Sequence, residues 1–321
     1  MRGASIGVHG AAGAVGSAAA FALALGGVER LVLADASAAR LTAQRMDLGT
    51  LAAVLSGLEV VTGDVAALAD CDVVVACAAA PHRDGAPRMS FLRENAAILA
   101  PLADALCAGA AVGRRGRRRP DVLLVSNPVD VLATWLQRRV GERARVVGHT
   151  LNDTLRLRVA IARSRGCTPS DVEAWSVGEH GPHGVPLLSR IAVRGRPVTL
   201  AAAERARVLD EVGGWYDRWQ RLGTGRTTVW SSAWGVAAIA RALLRGDARP
   251  WPVSVLLHGE YGVDGVCLTA PVTLASGGAS RVIGWEVADD ERAAIARAAE
   301  VVASGCEELE LTGAAAAGDL G

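Results

Sequence analysis

The chain has 321 residues, of which 51% are hydrophobic and 21% charged; this excludes a disordered chain and supplies enough apolar material for two domains at roughly 100–200 residues each. Every one of the 34 lysine-or-arginine positions is arginine, against 33 acidic residues, for a net charge of +1. Such a balance gives no general attraction to nucleic acid or to an anionic membrane, and neither is expected as a partner.

Residues 3–28 contain no Asp, Glu, Lys or Arg, a run long enough to imitate a membrane span. Gly7, Gly10, Gly13 and Gly16 divide it instead into a short strand, a turn and a helix. Arg2 alone is a poor basic leader for a signal peptide, so a cytoplasmic chain is expected. Runs at 5–9, 30–35, 59–62, 72–77, 121–127 and 145–148 read as strands. Ala/Leu-rich helical stretches lie between them near 15–26, 37–55, 91–109 and 129–139. Strand–helix alternation predicts right-handed crossovers and an α/β, Rossmann-type doubly wound parallel sheet.

After about residue 150 the pattern changes. A helix near 152–165 is followed by mixed strands and turns, helices near 199–222 and 228–245, a strand pair near 253–270 and a final helix near 289–310. This predicts an α+β catalytic domain over 149–321, after a dinucleotide-binding domain over 1–148. The Ala/Gly-rich tail from Gly313 is expected to fray. The arginine run at 113–120 has no interleaved aromatic residue and reads as a solvated loop. The six cysteines include no Cys-x-x-Cys pair and none beside a His at ligand spacing. Reduced thiols and no metal site are expected.

Gly10-Ala11-Ala12-Gly13-Ala14-Val15-Gly16 follows the first strand and opens a helix. A dinucleotide needs glycine there, so that the backbone can turn and approach a pyrophosphate; the helix N-terminus adds unsatisfied N–H groups. Asp35, at the end of the second strand, can accept both ribose hydroxyls of the adenosine half and would repel a 2′-phosphate. NAD is therefore expected over NADP, held by Gly10, Gly13, Ala14, Val15, Gly16 and Asp35.

Three further motifs follow in order: Asn127-Pro128-Val129-Asp130, Asp153-Thr154-Leu155-Arg156 and Gly178-Glu179-His180-Gly181. With the glycine loop, they make the chain resemble the malate/lactate dehydrogenase family from residue 5 to about 311. The resemblance implies NAD-dependent interconversion of a 2-oxo acid and an L-2-hydroxy acid. His180 is then the acid/base, and Asp153 orients it and stabilises its imidazolium. Arg156 grips the substrate carboxylate, and Asn127 bonds substrate and positions nicotinamide. Arg88, in the loop after the fourth strand, polarises the carbonyl when the loop shuts. Thr228 faces the substrate side group. A homodimer or homotetramer is implied, with the helix at 37–55 in the contact.

Two departures bear on the substrate. His82 stands where malate enzymes of the family carry Arg and lactate enzymes Gln, with Arg83 adjacent. Pro182 and His183 replace the usual Asp-Ser after the catalytic His; His183 reads as a loop residue. His82 and Arg83 beside Arg88 suit a 2-oxo acid with an anionic substituent: oxaloacetate, or a phosphono or sulfo analogue. The alternatives are a lactate-type or other specialised enzyme, and a non-catalytic dinucleotide-binding protein on the same fold. A metal-dependent glycosidase would need a Cys/His pair that Cys77 and Cys107 do not supply, and a short-chain reductase would need a lysine.

Overall fold

The computed structural model describes residues 4–81, 83, 88–112, 119–225, 227–275 and 280–318. The first half runs β1 (Ser5–His9), α1 (Ala14–Leu25), β2 (Arg30–Ala34), α2 (Ala38–Thr50), β3 (Glu59–Thr62), α3 (Val65–Leu68), β4 (Val73–Ala76), α4 (Leu92–Val112), β5 (Asp121–Leu124), α5 (Val129–Val140) and β6 (Arg145–His149). These six strands lie in the order β3-β2-β1-β4-β5-β6 and all pair in parallel. β4 and β5 are buried along their whole length, which is why they read as unbroken apolar runs: helices cover both faces.

The second half runs α6 (Leu151–Arg165), β7 (Val172–Glu173), β8 (Ser176–Gly178), β9 (Gly184–Pro186), β10 (Ala192–Val193), β11 (Arg196–Pro197), α7 (Ala202–Gly213), α8 (Trp215–Gln220), α9 (Trp230–Arg245), β12 (Asp247–His258), β13 (Asp264–Leu274), β14 (Arg281–Val282) and α10 (Asp289–Gly318). β12 pairs antiparallel with β6, matching Val253 to His149, and so carries the first sheet on into β13, β8 and β9. Gly148 allows this junction: a Cβ there would lie 2.8 Å from the Cβ of Ser254 and 2.9 Å from Val129. Leu157, Ile161, Val172, Ile191 and Val208 form a separate small core under α6 and α7.

The doubly wound sheet agrees with the sequence pattern, and three elements differ in detail. The helix expected over 199–222 is two helices, because Gly213 and Gly214 adjoin where α7 ends and α8 begins, and paired glycines carry the largest entropic cost of helix formation. β12 starts at Asp247 rather than near 253; its prolines, Pro250 and Pro252, are accommodated behind a register shift between Asp247 and Pro250. The tail expected to fray is helical as far as Gly318. Among the described residues no helix is long and apolar enough to cross a membrane. Residues 113–118 of the arginine run lie outside the described residues.

Candidate active site

The C-terminal ends of β1, β4, β5 and β6 open on one crevice, at the point where the strand order turns back, the usual place for a ligand in such a sheet. Gly10 has φ +79, and a Cβ there would lie 2.6 Å from the backbone of Ala78. A Cβ on Gly16 would reach 2.1 Å from the Gly10 carbonyl oxygen. Both positions therefore require glycine. Gly13 is the N-cap of α1 and makes no side-chain cap, so the N–H groups of Ala14, Val15 and Gly16 have neither an intrahelical acceptor nor a side-chain cap. Asp35 accepts the Ala12 N–H on one oxygen and the Ser37 N–H on the other, each at 2.9 Å. A carboxylate offers about four lone-pair sites, so acceptor capacity remains for ribose hydroxyls. Asn127 adds a buried Oδ1 with no partner among the described residues. These features fit a bound dinucleotide.

The catalytic candidates come from α6 and the turn after β8. Thr150 starts α6 and Gly166 ends it in the left-handed region, at φ 61. Asp153 and Arg156 are one turn apart and share a face. Gly178, with φ +80, sends the chain from β8 into the turn that carries His180. His180 Nδ1 lies 2.5 Å from Asp153 Oδ2, and Arg156 donates to the other oxygen of Asp153 at 3.3 Å. The guanidinium also sits 3.8 Å from the centre of the Trp215 ring on α8. The main-chain N–H of His180 donates to Asp130 on α5 at 2.6 Å. Burial pushes the Asp130 carboxyl up from its usual 3.8 to about 7, while the Ser254 hydroxyl and the His180 N–H hold it down and Glu179 and Asp153 push further up.

His180 and Arg156 border a cavity of about 170 Å³ that also touches Val15, Asn127, His149 and Thr228. His149, at the end of β6, is lowered to about 4, by burial first and then by repulsion from His180; it is a neutral imidazole. Cys77 on the same wall is pushed up to about 12 by burial, which makes it an inert thiol.

Of the residues singled out in the sequence, the structure brings together Val15, Asn127, Arg156, His180 and Thr228 on one wall, with Asp153 behind His180. Arg83 sits outside that wall. Its guanidinium pairs with Glu94 at 2.8 Å and lies 4.3 Å from the ring of Phe91, which does line the cavity. His82 and the side chain of Arg88 lie outside the described residues. His183 is exposed, with its N–H on Glu179 at 2.8 Å, in keeping with a loop residue.

Sequence reasoning missed four polar residues. Asn95 accepts the Ala80 N–H at 2.7 Å and donates to the Asn127 carbonyl at 2.6 Å, tying the loop's base to β5. His149, Asn152 and Ser232 are buried and line the cavity. One signal was available: in the helix read over 228–245, Ser232 falls one turn past Thr228; Asn152 gave none, because its neighbour Asp153 points to a different face of α6.

Residues 4–148 match the family described as lactate/malate dehydrogenase, NAD binding domain. Residues 150–310 match lactate/malate dehydrogenase, alpha/beta C-terminal domain. The chain is 33% identical over 312 residues to a malate dehydrogenase of Halobacterium salinarum, covering 95% of this chain and 99% of that one. It is 30% identical over 302 residues to an L-lactate dehydrogenase of Treponema denticola, covering 90% and 93%. The crystal structure of Cryptosporidium parvum malate dehydrogenase superposes with a TM-score of 0.86 at 22% identity, over 96% of this chain and 99% of that one, a likeness of fold.

Proposed function

The chain belongs to the lactate/malate dehydrogenase family, and from that premise we propose that it reduces a 2-oxo acid bearing an anionic substituent to the L-2-hydroxy acid, with oxaloacetate the first to test. At the coarser level it is an NAD-dependent 2-hydroxy-acid dehydrogenase. The observation that carries the catalytic assignment is the double use of Asp153, which touches both His180 and Arg156 at the wall of one small cavity.

Bound NADH supplies the hydride that reaches the carbonyl carbon. The chain's own residues do the rest. Arg156 holds the substrate carboxylate through its two-pronged guanidinium, exchanging part of its contact with Asp153 for the ligand. His180 as imidazolium gives its Nε2 proton to the carbonyl oxygen as the C–O double bond becomes the alcohol. Asp153 at Nδ1 fixes the ring and stabilises its charged form. Asn127 offers its amide to the substrate and the nicotinamide. Arg88, whose side chain lies outside the described residues, is assigned the polarisation of the carbonyl. In this division residues 1–148 hold NAD, with Asp35 on the ribose and the Gly10, Gly13, Ala14, Val15 and Gly16 backbone on the pyrophosphate. Residues 149–321 supply the acid/base and the carboxylate grip.

The anionic substituent is supported by the rim of the cavity. Arg83 and Glu94 are each about half exposed, 48% and 47%, and a pair that open to water contributes little. A substrate anion can therefore take Glu94's place at Arg83. NADH oxidation against a panel of 2-oxo acids tests this: oxaloacetate or its phosphono and sulfo analogues should exceed pyruvate in kcat/KM. A preference for pyruvate would assign the chain to the lactate type.

A homodimer or homotetramer in the cytoplasm completes the proposal. Phe21 on α1, Met46 on α2 and Trp230 and Trp234 on α9 are exposed, and Phe21 and Trp230 border one groove with Gln44 of α2. Apolar side chains gathered this way mark an interaction face.

A further inference from the structure

One wall of the cavity is polar where hydrocarbon would be expected. α9 buries alanine, glycine, valine and isoleucine along its inner face, yet Ser232 stands in that series at 7% exposure. Asn152, in the first turn of α6, is 5% exposed. Asn152 Nδ2 donates to Ser232 Oγ at 2.9 Å, and Ser232 Oγ lies 3.3 Å from Thr228 Oγ1. All three line the same cavity as His180 and Arg156, and Asn152 Oδ1 has no partner among the described residues.

We propose that Asn152, Ser232 and Thr228 form a directional hydrogen-bond chain that selects a 2-oxo acid whose substituent carries an oxygen acceptor. The proposal deepens the dehydrogenase assignment above and rests on it. An amide N–H can only donate, so Ser232 accepts from Asn152 and has its own proton to pass on. In the proposed chain that proton goes to Thr228 Oγ1, one of the two directions the 3.3 Å contact allows. With its oxygen so engaged, the Thr228 hydroxyl turns its proton toward the cavity. A carboxylate, phosphonate or sulfonate oxygen can receive it. An alkyl group cannot, and it would also shut the polar wall away from water with nothing to bond. Sites built to bond a polar group reject an analogue that lacks it far more strongly than apolar pockets reject a missing methylene. His149 does not supply a competing charge, since it is neutral and buried.

The experiment measures kcat/KM for oxaloacetate and for 2-oxobutyrate, which differ by a carboxylate in place of a methyl. Wild type is compared with Asn152→Leu, Ser232→Ala and Thr228→Val, and NADH affinity by fluorescence titration reports on the fold. The oxaloacetate/2-oxobutyrate ratio should fall roughly tenfold in each variant, the worth of about one hydrogen bond. The loss should be carried by KM, with NADH affinity unchanged. Should Asn152→Leu fail to fold, Ser232→Ala interrupts the same chain at its middle by removing a single oxygen. A ratio unmoved in Ser232→Ala and Thr228→Val, with NADH bound as in wild type, overturns the chain whichever acid wild type favours. Absence of turnover with every 2-oxo acid overturns the parent assignment as well.

Discussion

Asp130 reaches His180 through the main chain while Asp153 reaches it through the ring, so two carboxylates from two helices hold one histidine. The 2.6 Å bond to the His180 N–H fixes the turn, and the 2.5 Å contact at Nδ1 fixes the imidazole within it.

His180→Ala should lose most turnover and keep NADH binding. Positioned proton transfer is worth roughly 10²–10⁴-fold. Asp153→Asn should also lower kcat, because the imidazolium loses its partner. Steady-state rates with a saturating 2-oxo acid decide it, and a His180→Ala enzyme as fast as wild type would remove the histidine from the chemistry.

Asp130 gives a pH-dependent stability with a definite sign. Its folded value, about 7, is above its ordinary 3.8, so the folded protein binds an extra proton between them. The stability this contributes is full below the lower value and is lost as pH rises through the upper one. Asp130→Asn cannot ionise and still accepts the His180 N–H. Its stability relative to wild type should therefore improve between about pH 5 and about pH 8 in urea titrations. Asp130→Ala, which strands a buried N–H, should be destabilised by about 1–3 kcal/mol. A gap between Asn variant and wild type that does not change with pH would mean that Asp130 is charged throughout.

Asp35 should exclude NADPH. A 2′-phosphate a few ångströms from the carboxylate is repelled by about 1–4 kcal/mol in partly exposed surroundings. Comparing kcat/KM for NADH and NADPH measures it, and comparable values would free Asp35 of that role. Because Asp35 also holds the Ala12 N–H, Asp35→Ser should weaken both cofactors before it favours either.

Arg156→Lys keeps the charge and loses the fork. A lost charge-assisted bond is worth about 1.5–3 kcal/mol, which predicts a rise of roughly 10–100-fold in KM for the oxo acid with NADH affinity intact. Unchanged KM across the panel would take Arg156 out of the carboxylate site.

The sheet was legible because its inner strands β1, β4 and β5 are buried along their whole length, so that each reads as a short apolar run between helical stretches. Gly10, Gly16 and Gly178 were legible as glycine, and the structure shows why no side chain fits at the first two. Asp153 and Arg156 could be paired from their spacing alone. What joined them to His180 and Asp130 was not local: the four residues come from α5, α6 and the turn after β8, elements brought together by the sheet that runs from β6 through β12 and β13 to β8. Asn152 and Ser232 hid for a related reason. A polar residue on a helix reads as solvent-facing, and only the packing of α6 against α9 turns these two inward.

Arg156 Cζ also lies 3.8 Å from the centre of the Trp215 ring, which stacks on Trp219 with 5.6 Å between centroids. The guanidinium proposed to meet the substrate thus sits against a chromophore. Indole emission responds to a cation held over its face, so whatever alters the position or charge balance of Arg156 is written into the light the protein emits. Seven other tryptophans contribute background, and the difference between wild type and Trp215→Phe would isolate this one. Occupancy of the carboxylate grip could then be followed optically, substrate by substrate, with no turnover required.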